Sequence, residues 1–215
     1  MNGRRGWDRL ARSLAALLLV PLLIASCTSV PQTDRIRFGA IGDSITASTD
    51  RFGLPTHWTW VATAATGDVA DVGGYRHYGD TTADILRHVT PLPDAQVVVV
   101  MAGTNDAPVD DRPNPRTLTN ITAIFEKTGV PLRILSAVAP RNDDRAAVTL
   151  ELNRELRDLA RRSGWTWVDP WTEVRTGDGR WRPHTSVDGI HPTPASGRIA
   201  GEVLRAAIVE TVTGG

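Results

Sequence analysis

One cysteine, Cys27, stands among 215 residues. A disulfide framework and a cysteine-rich zinc site are therefore both excluded within the chain. There is no excess charge of either sign, because 24 basic residues balance 24 acidic ones. That removes the electrostatic case for nucleic acid as the main partner. Phenylalanine and tyrosine are scarce at three and two, whereas tryptophan reaches seven. GxxxxGK, GxGxxG, HExxH and CxxC do not occur, so the common nucleotide, zinc and redox signatures are missing. The longest apolar run, Leu14 to Ala25, has 12 residues and is too short for a membrane span. A hydrophobic share of 41% and a charged share of 22% fit an ordinary globular domain.

What is present begins with an address. Arg4, Arg5, Arg9 and Arg12 precede the apolar run, which ends in Ile24-Ala25-Ser26-Cys27. A basic start, a short apolar core and small residues at its end fit a signal peptide over 1–26. The Ile-Ala-Ser-Cys ending resembles the bacterial lipobox, which implies that Cys27 is lipidated and becomes the new N-terminus. An ordinary secretory signal or an uncleaved anchor are the alternatives. Removal of 1–26 takes away four arginines and one aspartate, leaving 20 basic against 23 acidic residues. Residues 27–35 read as a polar tether and 36–215 as one domain, expected to be a monomer.

Strands and helices alternate through that domain. Strands are expected at 35–41, 96–101, 132–138 and 165–168, with a weaker one at 69–75 that Gly73 and Gly74 interrupt. The consecutive valines 97–100 suit a strand buried on both faces. Helices are expected at 81–89, 115–127, 144–162 and 193–212. Val148, Leu152, Leu156 and Leu159 share one face of the third, and Gly164 stops it. This alternation predicts a three-layer α/β/α sandwich with a five-stranded parallel sheet in the flavodoxin-like order 2-1-3-4-5. Ligands in such sheets bind beyond the carboxyl ends of strands 1 and 3, where the strand order reverses.

Two short blocks fall at that place. Gly42-Asp43-Ser44 follows the first strand, and Gly103-Thr104-Asn105-Asp106 follows the valine strand. Asp188-Gly-Ile-His191-Pro comes after the last strand. A serine, a histidine and an aspartate are the parts of a nucleophilic triad, and an asparagine can donate to an oxyanion.

Together with Gly79, these blocks resemble the SGNH (GDSL) hydrolase family, in order and over essentially the whole mature chain. The GxSxG elbow of the α/β-hydrolases is absent. The resemblance implies Ser44 as nucleophile, His191 as general base and Asp188 as the residue orienting it. It implies an oxyanion hole from the N–H groups of Ser44 and Gly79 and the amide of Asn105. It implies no cofactor or metal. Gly74 stands where the family often has asparagine. The implied activity is an exported, lipid-anchored serine esterase acting on a small-molecule or glycan ester, with short acyl groups expected. Lipid or thioester hydrolysis, envelope acyl transfer and non-catalytic glycan binding are the alternatives.

The remaining candidates are weighed against plainer roles. Asp43 and Asp106 read as residues bonding loop backbone. Trp171 and Trp181 flank the loop before His191 and are candidates for stacking on a sugar or an acyl chain. Trp58 and Trp60 read as core. Arg141 reads as a solvated charge, or as a partner for an anionic substrate group. His57, His77, His88 and His184 have no partner pattern, although His184 lies on the loop leading to Asp188. Asn120-Ile-Thr122 matches a glycosylation sequon inside a helix and is discounted.

Overall fold

The computed structural model describes residues 35–214. The signal segment, Cys27 and nearly all of the tether lie outside the described residues. Five strands and five helices follow in the order β1 (Ile36–Gly42), α1 (Val61–Ala64), β2 (Val69–Asp71), α2 (Thr82–His88), β3 (Val97–Met101), α3 (Pro115–Thr128), β4 (Leu132–Ser136), α4 (Ala146–Ser163), β5 (Thr166–Val168) and α5 (Pro194–Thr213). Every strand pair is parallel, in the order β2-β1-β3-β4-β5.

The valine strand sits at the centre, and its side chains alternate between two cores. Val97, Val99 and Met101 join Phe38, Ala40, Trp60, Leu204 and Ile208 on the face covered by α1 and α5. Val98 and Val100 join Ile85, Ile121, Phe125, Leu152 and Leu156 under α2, α3 and α4. This period of two explains why an unbroken apolar run is needed in a strand covered on both faces. Each such valine contributes roughly 1.5–3 kcal/mol by its burial.

The helices stop where local chemistry ends them. Gly129 and Gly164 adopt left-handed conformations at the ends of α3 and α4. Helix α4 starts at Ala146 rather than at 144, because the Asp143 carboxylate accepts the Arg145 N–H at 3.1 Å and holds the preceding turn. Strand β2 is shorter than expected. Gly74 has a φ of +131°, and a Cβ there would lie 2.2 Å from the Ala40 carbonyl oxygen. The segment still tracks β1, with Ala40 N–H donating to Gly73 and Gly42 N–H to Tyr75. Gly74 thus stands where the neighbouring strand leaves no room for a side chain. The four-residue α1 was not expected, since it is too short to show a helical period.

Strands β1 and β3 are neighbours, paired up to Gly42 and Met101. The chain leaves β1 toward β2 on one side and leaves β3 toward β4 on the other. The crevice lies above their carboxyl ends, where both blocks emerge.

Candidate active site

The first block turns sharply out of β1. The Asp43 carboxylate accepts the Ile45 N–H at 3.1 Å and the Thr104 N–H at 3.3 Å. It ties the loop carrying Ser44 to the loop carrying Asn105. Asp43 is fully buried, and that burial pushes its carboxyl up to about 6, against the lowering effect of the Ile45 and Thr104 hydrogen bonds.

Ser44 is brought to a histidine 147 residues away in sequence. Its Oγ lies 2.9 Å from His191 Nε2. His191 Nδ1 lies 2.7 Å from Asp188 Oδ2, while Asp188 Oδ1 accepts the N–H groups of Ile190 at 2.9 Å and His191 at 2.7 Å. The aspartate therefore shapes the loop with one oxygen and orients the ring with the other. Its partial burial pushes the carboxyl up, but the hydrogen bonds from His191 and Ile190 prevail and hold it below the usual carboxylate range. With Nδ1–H donated to Asp188, Nε2 presents its lone pair to the serine hydroxyl. Ser44 and His191 are only 3% and 5% exposed, so their hydrogen bond is largely shielded from water.

Gly79 and Asn105 are the two further candidate donors. Gly79 lies on the exposed loop before α2 with a φ of +81°, and no atom comes within 4 Å of where its Cβ would be. This is an open backbone approach that a side chain would obstruct. Asn105 Nδ2 donates to the Asp80 carbonyl at 2.9 Å, which orients the amide and leaves its second hydrogen available. Asp80 is itself held by the Tyr75 hydroxyl and by His77 Nδ1, both at 2.8 Å. Asp106 accepts the Thr82 N–H at 2.8 Å and hydrogen bonds from the hydroxyls of Thr82 and Thr117. It joins the starts of α2 and α3 and so fixes the two donor loops against each other.

Trp171 and Trp181 do not line the cleft, and the expectation of a stacking role for them is corrected here. Both belong to the core under α5, at 0% and 4% exposure, and meet edge to face at 5.4 Å. Trp171 Nε1 donates to the Ala137 carbonyl at 3.2 Å. The chain between them closes back through the Arg175–Trp181 bridge and turns both indoles inward. Arg141 is also buried rather than solvated. It donates to the Thr104 carbonyl at 3.0 Å and to Asp143 at 2.6 Å, bracing the Asn105 loop from behind. His57, His77, His88 and His184 are exposed. Asn120 donates to the Thr82 hydroxyl at 3.0 Å, so its amide is part of the fold. Among the described residues, no group of three His, Cys, Asp or Glu side chains is placed to hold a metal ion.

Two residues beside His191 were given no role there by the sequence, since Trp58 read as core and Tyr78 only as the neighbour of Gly79. Trp58 packs on the His191 imidazole with centroids 4.8 Å apart, and its Nε1–H donates to the Ser44 carbonyl at 2.9 Å. Tyr78 lies near-parallel to the same imidazole at 5.5 Å. Its adjacency to Gly79 is the signal that could have found Tyr78. Trp58 sits in an aperiodic loop and carries no such signal.

The family model for the GDSL-like lipase/acylhydrolase family matches residues 40–199, a span that holds every residue of this cleft. A search of curated proteins found no match. Among solved structures, a GDSL-like lipase from Bacteroides thetaiotaomicron is 22% identical, with 84% of this chain and 91% of that one covered and a TM-score of 0.61. An aryl esterase from M. smegmatis is 20% identical over 81% and 99% of the two chains, with a TM-score of 0.62. A carbohydrate acetylesterase family member from Sinorhizobium meliloti is 16% identical over 82% and 98%, with a TM-score of 0.58. The likeness to these structures is one of fold. The match over most of the domain makes the chain a member of the GDSL-like lipase/acylhydrolase family of ester-hydrolysing enzymes.

Proposed function

We propose that this protein is an exported serine esterase that removes short acyl groups, acetyl above all, from an alcohol or glycan. The observation that carries the reading is the continuous line from Ser44 Oγ through His191 to Asp188, at 2.9 and 2.7 Å. His191 Nε2 takes the hydroxyl proton as Ser44 Oγ attacks the ester carbonyl, and the carbonyl oxygen becomes an oxyanion. The Ser44 and Gly79 N–H groups and the Asn105 amide receive that charge. Collapse expels the alcohol, which takes the proton back from His191 and leaves an acyl-serine. Water then attacks the acyl carbonyl, again giving its proton to His191, and collapse releases the carboxylic acid and restores the Ser44 hydroxyl. Asp188 holds the imidazole in the required tautomer and balances its transient charge. The sequence ending at Cys27 supports a lipid anchor on the outer face of the cell membrane, with plain secretion as the alternative.

The burial of Ser44 and His191 and the fold shared with a carbohydrate acetylesterase family member support a short acyl group. A longer acyl chain is favoured by a different observation. Phe52, Leu54, Val109 and Val187 are large exposed apolar residues on loops at the carboxyl edge of the sheet. A chain starting at Thr28, assayed on p-nitrophenyl esters from acetate to decanoate, separates the two. We expect a rate that peaks at acetate and vanishes in Ser44→Ala and His191→Ala. A peak at long chains would replace the short-acyl reading by a lipid one. Activity that survives either substitution would overturn the triad.

A further inference from the structure

We propose that Trp58 and Tyr78 form an aromatic seat for His191, holding the imidazole in line with Ser44 and stabilising the imidazolium that forms when the serine attacks. This rests on the assignment of His191 as general base. Two rings from two separate loops meet one imidazole. Trp58, between β1 and α1, lies at 4.8 Å with planes 31° apart, and Tyr78, between β2 and α2, lies at 5.5 Å with planes 23° apart. At such spacing and tilt, aromatic faces attract a cation through their quadrupole, and more strongly where water is excluded. His191 is 5% exposed, so little water competes.

Both rings sit on parts of the site that do not move independently of it. The Trp58 indole is bonded to the backbone of the nucleophile itself, at 2.9 Å from the Ser44 carbonyl. Its own carbonyl abuts α5, where a Cβ on Gly197 would come within 2.1 Å of it. Helix α5 begins three residues after His191, so Trp58 spans from the nucleophile to the element that follows the base. Tyr78 directly precedes Gly79, and the loop is clamped on its far side by the His77–Asp80 pair at 2.8 Å. Among the described residues no group bonds the Tyr78 hydroxyl, so the ring face is what this residue supplies.

The need for such a seat follows from the other contacts. Asp188 holds the imidazole at Nδ1 and Ser44 meets it at Nε2, and two bonds at opposite ends of the ring still leave it free to tilt about the line between them. The groups in contact with the ring are the Ser44 hydroxyl, the Asp188 carboxylate and the two aromatic faces. Only the two aromatic faces bear on the plane of the ring and so restrict its tilt.

The test uses Tyr78 with phenylalanine, leucine and a series of increasingly ring-fluorinated phenylalanines, each assayed for kcat and KM on p-nitrophenyl acetate beside Ser44→Ala and His191→Ala. Fluorination withdraws electron density from the face while nearly preserving ring shape. We expect Tyr78→Leu to lower kcat about tenfold with little change in KM, and Tyr78→Phe to restore most of it. Across the fluorinated series, log kcat should fall in step with the strength of the cation–π attraction. Trp58→Leu should behave as Tyr78→Leu does. A flat fluorinated series, or a Tyr78→Leu enzyme with unchanged kcat, would overturn the proposal while leaving the triad standing. Full activity in His191→Ala would overturn both.

Discussion

Replacing Asp43 by asparagine should remove a loss of stability that the native protein suffers between about pH 4 and pH 6. The Asp43 carboxyl is fully buried and raised from 3.8 to about 6. The folded state therefore holds this proton more tightly than the unfolded chain does. The associated stability is fully present below pH 4 and is lost as pH rises through 6. About two pH units at ~1.4 kcal/mol each make the loss about 3 kcal/mol, complete above pH 6. For a domain of this size that is roughly 6–12 °C in Tm. The amide cannot ionise, so the variant has no such pH-dependent term. It carries instead a constant cost of roughly 1–3 kcal/mol, because its NH2 would face one of the N–H groups of Ile45 and Thr104 that Asp43 now accepts. Calorimetric melts of both proteins from pH 4 to 7.5 measure the difference, and titrations common to both cancel. The native protein's advantage should shrink by about 3 kcal/mol across that range. A constant gap, or one that widens in favour of the native protein as pH rises, would refute the reasoning. Asp43 would then be a carboxylate stabilised by its two backbone donors rather than penalised by burial.

Two further outcomes follow from the geometry and one from the sequence. Asn105→Ala should lower kcat by about 10²–10³ with a small change in KM, since the free amide hydrogen matters chiefly to the oxyanion; equal kcat in steady-state assays would remove Asn105 from the hole. Gly74→Ala should destabilise the domain by more than about 3 kcal/mol, because the new methyl meets the Ala40 carbonyl at 2.2 Å and φ is +131°; a denaturant midpoint within error of the native protein would contradict this. Cys27→Ser in the full chain should abolish incorporation of a radiolabelled fatty acid and partition into detergent. An acyl label retained by that variant would exclude Cys27 as the anchor.

Much of the architecture was legible locally. Valines 97–100 fill both faces of one strand, so their unbroken run marked a central parallel strand before any neighbour was known. Gly129 and Gly164 end α3 and α4 because a left-handed residue suits the end of a helix whatever it packs against. Strand β2 and helix α1 were harder. Three- and four-residue elements carry no period, and the track of residues 72–76 beside β1 depends on hydrogen bonds to that strand.

The site divides in the same way. By itself the sequence determined which residues could do the chemistry, since Ser44, Asn105, Asp188 and His191 lie in blocks whose residue types and order have few other uses. It also determined that Asp188 could reach His191, because only two residues of chain separate them and an aspartate readily bonds nearby N–H groups. Only the tertiary structure decided where the tryptophans went. Trp171 and Trp181 look like pocket walls in sequence and lie in the core, whereas Trp58 looks like core and lies on the imidazole. A loop aromatic has no periodic neighbours to declare which way it faces. Its environment is set by which distant segments close over it, and here those are the sheet and α5 for Trp171 and Trp181 and the loop bearing His191 for Trp58.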